Sequence, residues 1–237
     1  MKWEWYQNPK TGQWYRIRPD DWLLYTRIGP DSRSRGYQVQ LQDWVRAYFQ
    51  TRPARRAIDV GANMGITAIE YADVFKSVEA FEPIADVHDQ LQRVIQRNGI
   101  PNVSTYPVAL SDHTGQAQMS YRPNNSFASA INPAGGETIH TATLDSYQFE
   151  SVDFIKIDVE GMETAVITGG WNTIVQQRPL IQFEYKKKLA QRYGYDIDQT
   201  ICDKLQSIGY HIEDKRGLPY TESRQSDLFA IAKEKTL

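Results

Sequence analysis

The residues best suited to chemistry lie at the ends of two apolar segments, residues 57–65 and 78–82. The first segment has the composition of a buried strand and runs into a glycine turn, Gly61-x-x-x-Gly65. Glu82 ends the second segment, 23 residues after Asp59. A carboxylate at that distance can accept hydrogen bonds from both hydroxyls of a ribose. The spacing therefore predicts a nucleotide pocket.

The glycine turn indicates which nucleotide the pocket would take. It departs from the G-x-G-x-x-G pattern, in which the backbone comes close to a pyrophosphate. A ribose-binding acid without a phosphate loop favours a nucleoside that carries a small amino-acid tail, which is S-adenosylmethionine. We therefore expect S-adenosylmethionine as the cofactor and little or no binding of NAD. The alternative is a purely structural strand-to-helix turn in an α/β protein.

Several longer motifs give the chain a family resemblance. They are AIDVGANMG at residues 57–65, FEP at 81–83, ALSD at 109–112, TLD at 143–145 and DFIKIDVEGME at 153–163. With these motifs the chain resembles the FkbM family of S-adenosylmethionine-dependent methyltransferases over about residues 55–233. The last motif is the most specific of them. The first 50 or so residues fall outside the resemblance.

The resemblance and the strand ends together indicate the cofactor-binding residues, because ligands of open α/β sheets bind outside the carboxyl ends of the strands. The resemblance implies that Gly61 and its neighbours approach the methionine tail and that Glu82 holds the ribose. It places adenine near the backbone of residues 109–110, where either Ser111 or Asp112 reaches the adenine amino group. The expected cofactor-binding residues are Asp59, Gly61, Ala62, Asn63, Gly65, Glu82, Pro83, Ala109, Leu110, Asp112 and Asp158.

Acidic residues at the ends of later strands are the candidates for catalysis. Lys156, Asp158 and Glu160 alternate along one face of a strand, and we expect Lys156 to pair with a carboxylate because an unpaired buried charge is costly. Asp158 could hold the cofactor amine, orient an acceptor hydroxyl or accept its proton. Methyl transfer to an alcohol requires close positioning and a general base. We take Asp158, Glu184 and His140 as the catalytic candidates, with Glu160 as a further possible base.

The same acids have a second possible use. Asp158, Glu160 and Glu184 offer the oxygen ligands that magnesium prefers, and a metal would acidify the acceptor. Glu160 equally suits the N-terminus of the helix that follows it. No pair of cysteines or histidines supports a metal, so we expect none.

The order of elements predicts an α/β fold with a doubly wound, mostly parallel seven-stranded sheet, which is the Rossmann-like arrangement of class I methyltransferases. From residue 57 onward, strand patterns alternate with helix patterns. The last two strands, about residues 210–213 and 228–232, are expected to be antiparallel neighbours. The polar residues 122–137 predict a lid or substrate loop, with a surface insertion as the alternative.

Residues 1–50 predict an aromatic-rich extension of a methyltransferase domain that spans residues 51–237. The extension carries five of the six tryptophans. A turn signal between two aromatic runs predicts a β-hairpin, and the apolar spacing of residues 39–49 predicts a helix. We expect the extension to be a substrate-side cap in which Trp14, Tyr15 and Trp22 contact the acceptor. The alternative is that its aromatic residues form a small core of their own.

Composition and charge restrict the possible partners. A formal net charge of −2 and a pI near 6.1 provide no overall basic field for nucleic acid. Two local basic clusters, residues 52–56 and 186–188, are interpreted as solvated rims rather than polyanion sites. The single cysteine, Cys202, permits no internal disulfide, and no apolar run is long enough to cross a bilayer. These features predict a soluble cytoplasmic protein without a membrane partner.

The resemblance implies O-methylation of a hydroxyl on a small molecule or glycan. One alternative is a nucleic-acid or protein methyltransferase, although Asp158-Val159-Glu160-Gly161 stands where amino-directed DNA methyltransferases carry an Asn-Pro-Pro-Tyr type motif. The other alternative is a non-catalytic binding module that retains the cofactor fold. The sequence leaves the oligomeric state and the identity of the acceptor open.

Overall fold

The computed structural model of the protein describes residues 3–9, 11–17, 39–120, 130–131, 135–223 and 227–233. Its strands are β1 Glu4–Gln7, β2 Trp14–Ile17, β3 Arg56–Val60, β4 Ser77–Phe81, β5 Val103–Tyr106, β6 Ala109–Leu110, β7 Gly115–Ser120, β8 Ala130–Ile131, β9 Glu137–Ala142, β10 Val152–Ile157, β11 Leu180–Glu184, β12 Tyr210–Glu213 and β13 Asp227–Ala232. Its α-helices are α1 Val39–Phe49, α2 Ile66–Ala72, α3 Ala85–Arg97, α4 Glu163–Gly169, α5 Trp171–Gln177, α6 Lys187–Ala190 and α7 Lys204–Ser207. Shorter turns of 3-10 helix cover Leu144–Tyr147 and Gln191–Tyr193, and a π-helix covers Asp198–Asp203.

A seven-stranded sheet forms the centre of the described structure, in the order β12-β13-β11-β10-β3-β4-β5. Strands β5, β4, β3, β10 and β11 are parallel neighbours, whereas β13 and β12 are antiparallel. The inner strands β3 and β10 are almost completely buried because helices cover both faces of the sheet. This architecture confirms the predicted doubly wound fold and its antiparallel final pair.

A second, four-stranded sheet packs beside the carboxyl edge of the first, with the order β6-β9-β7-β8. Strands β7 and β9 pair antiparallel along most of their length, from Gly115 opposite Thr141 to Met119 opposite Glu137. The predicted loop of residues 122–137 therefore contains strand residues at 130–131 and at 137. The remainder of that prediction at residues 122–129 and 132–134 lies outside the described residues.

The N-terminal hairpin lies along helix α3 rather than over a substrate cleft. Strands β1 and β2 pair antiparallel, and Trp14 N donates to Asn98 Oδ1 at 2.8 Å at the end of α3. Tyr15 and Ile17 are 2% and 4% exposed and belong to the same core cluster as the apolar face of α3. A thin hairpin reaches this degree of burial only by sharing the core of the neighbouring domain.

These contacts show where Trp14 and Tyr15 lie, and the substrate-side cap stays a prediction. Tyr15 is inside the core, and the ring of Trp14 is covered by the guanidinium of Arg97 at 4.0 Å from the ring centroid. Trp22, the third residue expected there, lies outside the described residues. Helix α1 is likewise part of the core, since Trp44 stacks on Phe229 of β13 with ring centroids 4.0 Å apart. Within the described part of the chain, no helix is long and apolar enough to cross a membrane.

Candidate functional site

A cleft of about 170 Å³ opens at the carboxyl ends of β3, β4 and β10, where the central sheet meets the second sheet. Several residues expected to bind the cofactor line it: Gly61, Asn63, Glu82, Pro83, Ala109, Leu110 and Asp158. The second sheet contributes a mostly apolar wall of Ala117, Met119, Ile131 and Thr141. The cleft is therefore the place in which the predicted strand-end residues come together.

The glycine turn after β3 brings the backbone to the cleft. Gly61 has a φ of +82°, and a Cβ atom on it would lie 2.1 Å from the carbonyl oxygen of Asp158. The amide groups of Gly61 and Ala62 both donate to Phe81 O, at 3.0 and 2.9 Å, which joins the ends of β3 and β4. Gly65 serves packing, because a Cβ there would meet Leu91 of α3 at 2.4 Å. Only glycine fits at these two positions.

Glu82 presents a preorganised carboxylate to the cleft. Its Oε2 accepts a hydrogen bond from Asn63 N at 3.0 Å and its Oε1 accepts one from Ile84 N at 2.9 Å. Each oxygen keeps further lone-pair capacity toward the cleft. The carboxyl group is only 6% exposed, and this burial raises its pKa to about 7 despite the two backbone donors, which lower it.

Lys156 holds two carboxylates beneath the cleft. Its Nζ lies 3.2 Å from Asp59 Oδ1 and 3.6 Å from Asp158 Oδ2. This confirms the predicted pairing of the buried lysine. Asp59 is 0% exposed and contacts Lys156 from inside the sheet. In the described part of the chain, Asp59 is therefore not one of the residues that line the cleft. Asp158 does line it, which makes Asp158 the member of this group that a ligand can reach.

Three carboxylates meet where β10 and β11 end. Asp158, Glu160 and Glu184 offer oxygens that all lie within 4.8 Å of one another. Lys186 Nζ lies 2.7 Å from Glu184 Oε1 and 3.8 Å from Glu160 Oε2. A divalent cation would therefore have to compete with this ammonium group for the carboxylate oxygens. The pKa of Glu184 is raised to about 8, mainly by burial and secondly by the negative charge of Asp158. The cluster can therefore hold and exchange a proton near neutral pH.

The loop that carries Asp158 and Glu160 is fixed from below by Glu163. The Oε1 atom of Glu163 accepts hydrogen bonds from Val159 N at 3.3 Å and Gly161 N at 3.2 Å. Burial raises the pKa of this carboxyl group to about 7. Glu163 itself does not line the cleft, and it acts by holding the backbone of the residues that do.

His140 and His113 differ in whether they line the cleft. Along β9, Ile139 and Thr141 are buried and His140 between them is exposed, because alternate residues of a strand face opposite sides. His140 therefore points away from the cleft, and its role in catalysis stays a prediction. His113, in the bend between β6 and β7, lines the cleft and contacts Asp112 Oδ1 through Nδ1 at 2.7 Å.

Two of the expected cofactor-binding residues, Ala62 and Asp112, lie beside the cleft and do not line it. Ala62 is buried in the turn, and Asp112 points to His113, whose contact lowers the pKa of the Asp112 carboxyl group. Of the two residues expected near the adenine amino group, Ser111 lines the cleft and Asp112 does not. The sequence-based prediction also missed Val87 and Met162, whose apolar side chains line the cleft, although Met162 falls within the motif of residues 153–163.

The parallel sheet and the strand-end cleft define a class I methyltransferase fold. The FkbM methyltransferase from Methylobacillus flagellatus KT shares this fold with 20% sequence identity and a TM-score of 0.53, over 75% of this chain and 43% of that one. The profile of the methyltransferase FkbM domain matches residues 59–212, and the chain belongs to this family.

The chain thus spans less than half the length of the FkbM methyltransferase that it resembles. Precorrin-6y C5,15-methyltransferase from Geobacter metallireducens GS-15 aligns with 87% of this chain and 97% of its own, with 13% identity and a TM-score of 0.48. No curated protein matches the chain in sequence.

Proposed function

We propose that the cleft binds S-adenosylmethionine and that the protein transfers its methyl group to a hydroxyl of a small molecule or glycan. The observation that carries the cofactor assignment is the Glu82 carboxylate, which two backbone N–H groups hold at the end of β4. Two ribose hydroxyls can donate to the lone pairs that remain on its oxygens. Gly61 lines the same cleft, and its lack of a side chain lets the ends of β3 and β10 approach each other beside the proposed position of the tail.

The apolar residues of the cleft suit the adenine ring. Ile84 and Leu110 are buried residues that line the cleft, and Ala109 lines it with them. An aromatic base gains stabilisation by packing between such side chains. Ser111 is the polar group in the lining that can contact the adenine amino group.

The carboxylate cluster supplies the proton chemistry. When bound, the cofactor supplies an electrophilic methyl group on a positively charged sulfur. Asp158 lines the cleft and would accept the proton of the acceptor hydroxyl as the oxygen–methyl bond forms and the methyl–sulfur bond breaks, with S-adenosylhomocysteine as the leaving group. Glu184 and Lys186 lie behind Asp158. In the protonated form of the cluster Glu184 would hold the proton, and in the ionised form Lys186 would balance the negative charge. This assignment makes Asp158 the general base, while Glu184 adjusts the proton affinity of the cluster.

The wall formed by the second sheet is the proposed acceptor side. Met119 and Ile131 face the cleft opposite the strand ends, and Tyr193 Oη donates to Ile131 O at 3.0 Å, which anchors this wall to the loop after α6. An acceptor with an apolar or ring-shaped body would pack on these side chains while its hydroxyl reaches Asp158.

Release of S-adenosylhomocysteine tests this function. The protein is incubated with S-adenosylmethionine and, separately, with pools of glycans, small alcohols, DNA and RNA. We expect turnover with a glycan or alcohol pool, and we expect Asp158→Asn to remove it. Turnover with DNA or RNA alone would replace the proposed acceptor class, and binding of S-adenosylhomocysteine without turnover on any pool would favour a binding module.

A further inference from the structure

A second cleft, which we call the basic cleft, lies at the opposite edge of the central sheet from the cofactor cleft. It is lined by Tyr48 and Arg52 at the end of α1, Asp153 at the start of β10, Arg178 before β11, and Ala232 and Lys233 at the end of β13. The cavity measures about 460 Å³, within the range of small-molecule sites and far larger than the roughly 30 Å³ share of one water.

The charges of the basic cleft favour an anion. Arg52, Arg178 and Lys233 contribute three positive charges to the lining. The carboxylate in the lining, Asp153, already accepts three hydrogen bonds from Arg55, from its backbone N at 2.7 Å, its Nε at 3.0 Å and its Nη2 at 2.6 Å. Because Arg55 offsets the charge of Asp153, the three cations define the field inside the cleft.

The two guanidinium groups are held in place by the fold. The guanidinium of Arg52 lies 4.2 Å from the ring centroid of Tyr48, and Nη1 donates to Tyr48 O at 3.1 Å. The guanidinium of Arg178 lies 4.6 Å from the ring centroid of Tyr210 and donates to the carbonyls of residues 208 and 209. Guanidinium groups that are positioned in this way lose little entropy when they bind a phosphate.

The remaining walls of the basic cleft are apolar. Phe49 and Leu180 form the buried floor of the cleft, at 7% and 3% exposure, and Pro53 and Ala232 present its accessible apolar surface. A bare inorganic ion would leave these surfaces uncovered, whereas an organic molecule with a phosphate group would cover them and meet the cations at the same time.

We propose that the basic cleft binds a small phosphate monoester, with its phosphate between Arg52, Arg178 and Lys233 and its organic body against Pro53 and Ala232. The site is separate from the cofactor cleft, since it lies at the amino ends of β10 and β11.

Titration calorimetry with phenyl phosphate as the probe tests this site at constant ionic strength. We expect saturable binding that is tighter than that of inorganic phosphate, and no heat from phenol. Arg52→Gln and Lys233→Gln should each weaken binding about 10-fold, because each removes one charge-assisted contact. Lys188→Gln is the matched control, since it removes one exposed lysine charge at the other edge of the sheet and should leave affinity unchanged.

The two test variants change exposed side chains, and their thermal unfolding is measured in parallel to show that they fold. Arg178 is left intact because it also bonds to backbone carbonyls. Equal weakening by Lys188→Gln, or the absence of saturable binding, would overturn the proposal. An RNA oligonucleotide that binds through Arg52 and Lys233 more tightly than phenyl phosphate would also overturn it and define this face as a nucleic-acid surface.

Discussion

The carboxyl group of Glu82 should make the binding of S-adenosylhomocysteine depend on pH. Burial raises the pKa of this group to about 7, so about half of the free protein carries a protonated Glu82 at pH 7. Ribose hydroxyls donate to the ionised form, and protonation converts one acceptor oxygen into a donor. Binding must therefore expel the proton, and affinity falls as the pH drops below 7.

The size of the effect follows from the pKa. Below the pKa, each pH unit costs one factor of ten in affinity, so the dissociation constant should rise about 10-fold between pH 8 and pH 6. At pH 7 the complex should release about half a proton. Glu82→Gln keeps the shape and removes the titration, and it should weaken binding at pH 8 by about 10-fold to 150-fold, the value of a hydrogen bond to a charged group.

Titration calorimetry at pH 6, 7 and 8, in buffers of different ionisation enthalpy, measures both the affinity and the proton release. The ligand and the carboxyl groups of Glu163 and Glu184 titrate in the wild type and in Glu82→Gln alike, so the difference between the two proteins isolates Glu82. Equal pH slopes in both proteins, or an unchanged dissociation constant for Glu82→Gln at pH 8, would refute this reasoning.

Other substitutions test the remaining parts of the account. Asp158→Asn should lower turnover by at least about 100-fold if Asp158 is the base, with little change in the melting temperature, and retained activity would reject that role. Lys156→Met should lower the free energy of unfolding by about 3–5 kcal/mol in urea titrations, because it leaves Asp59 buried without its cation, whereas Lys188→Met should not. Gly61→Ala should cost about 1–3 kcal/mol of stability and weaken S-adenosylhomocysteine, since its Cβ would lie 2.1 Å from a backbone oxygen; an unchanged dissociation constant would speak against the assigned cleft. In thermal-shift assays S-adenosylhomocysteine should stabilise the protein more than NADH, and the reverse order would reject the choice of cofactor.

The central sheet could be predicted from the sequence because its strands are buried on both faces. β3, β10 and β11 are short apolar runs that end in glycine or acid, and the helices between them keep one apolar face, as in α3. The second sheet gave no such signal. Its strands β7 and β9 are only partly buried and carry polar residues such as Gln116 and Thr138, so they resemble loop sequence.

The same contrast explains which site residues could be found. Gly61, Glu82 and Asp158 follow buried strands, and the rule that ligands gather at carboxyl ends brought them to one cleft. The direction of His140 depends on the register of β9 in the second sheet, which the sequence did not reveal, and His113 lies in the bend between β6 and β7. A shift of one residue along a strand reverses the side to which a side chain points, so the direction of His140 could not be predicted without the register.

A crystal structure of the complex with S-adenosylhomocysteine tests the central claim most directly. The account predicts density in the cleft at the ends of β3, β4 and β10, with both ribose hydroxyls within hydrogen-bonding distance of Glu82 and the base near Leu110. Density for the ligand at another place, or a ribose that makes no contact with Glu82, would contradict it.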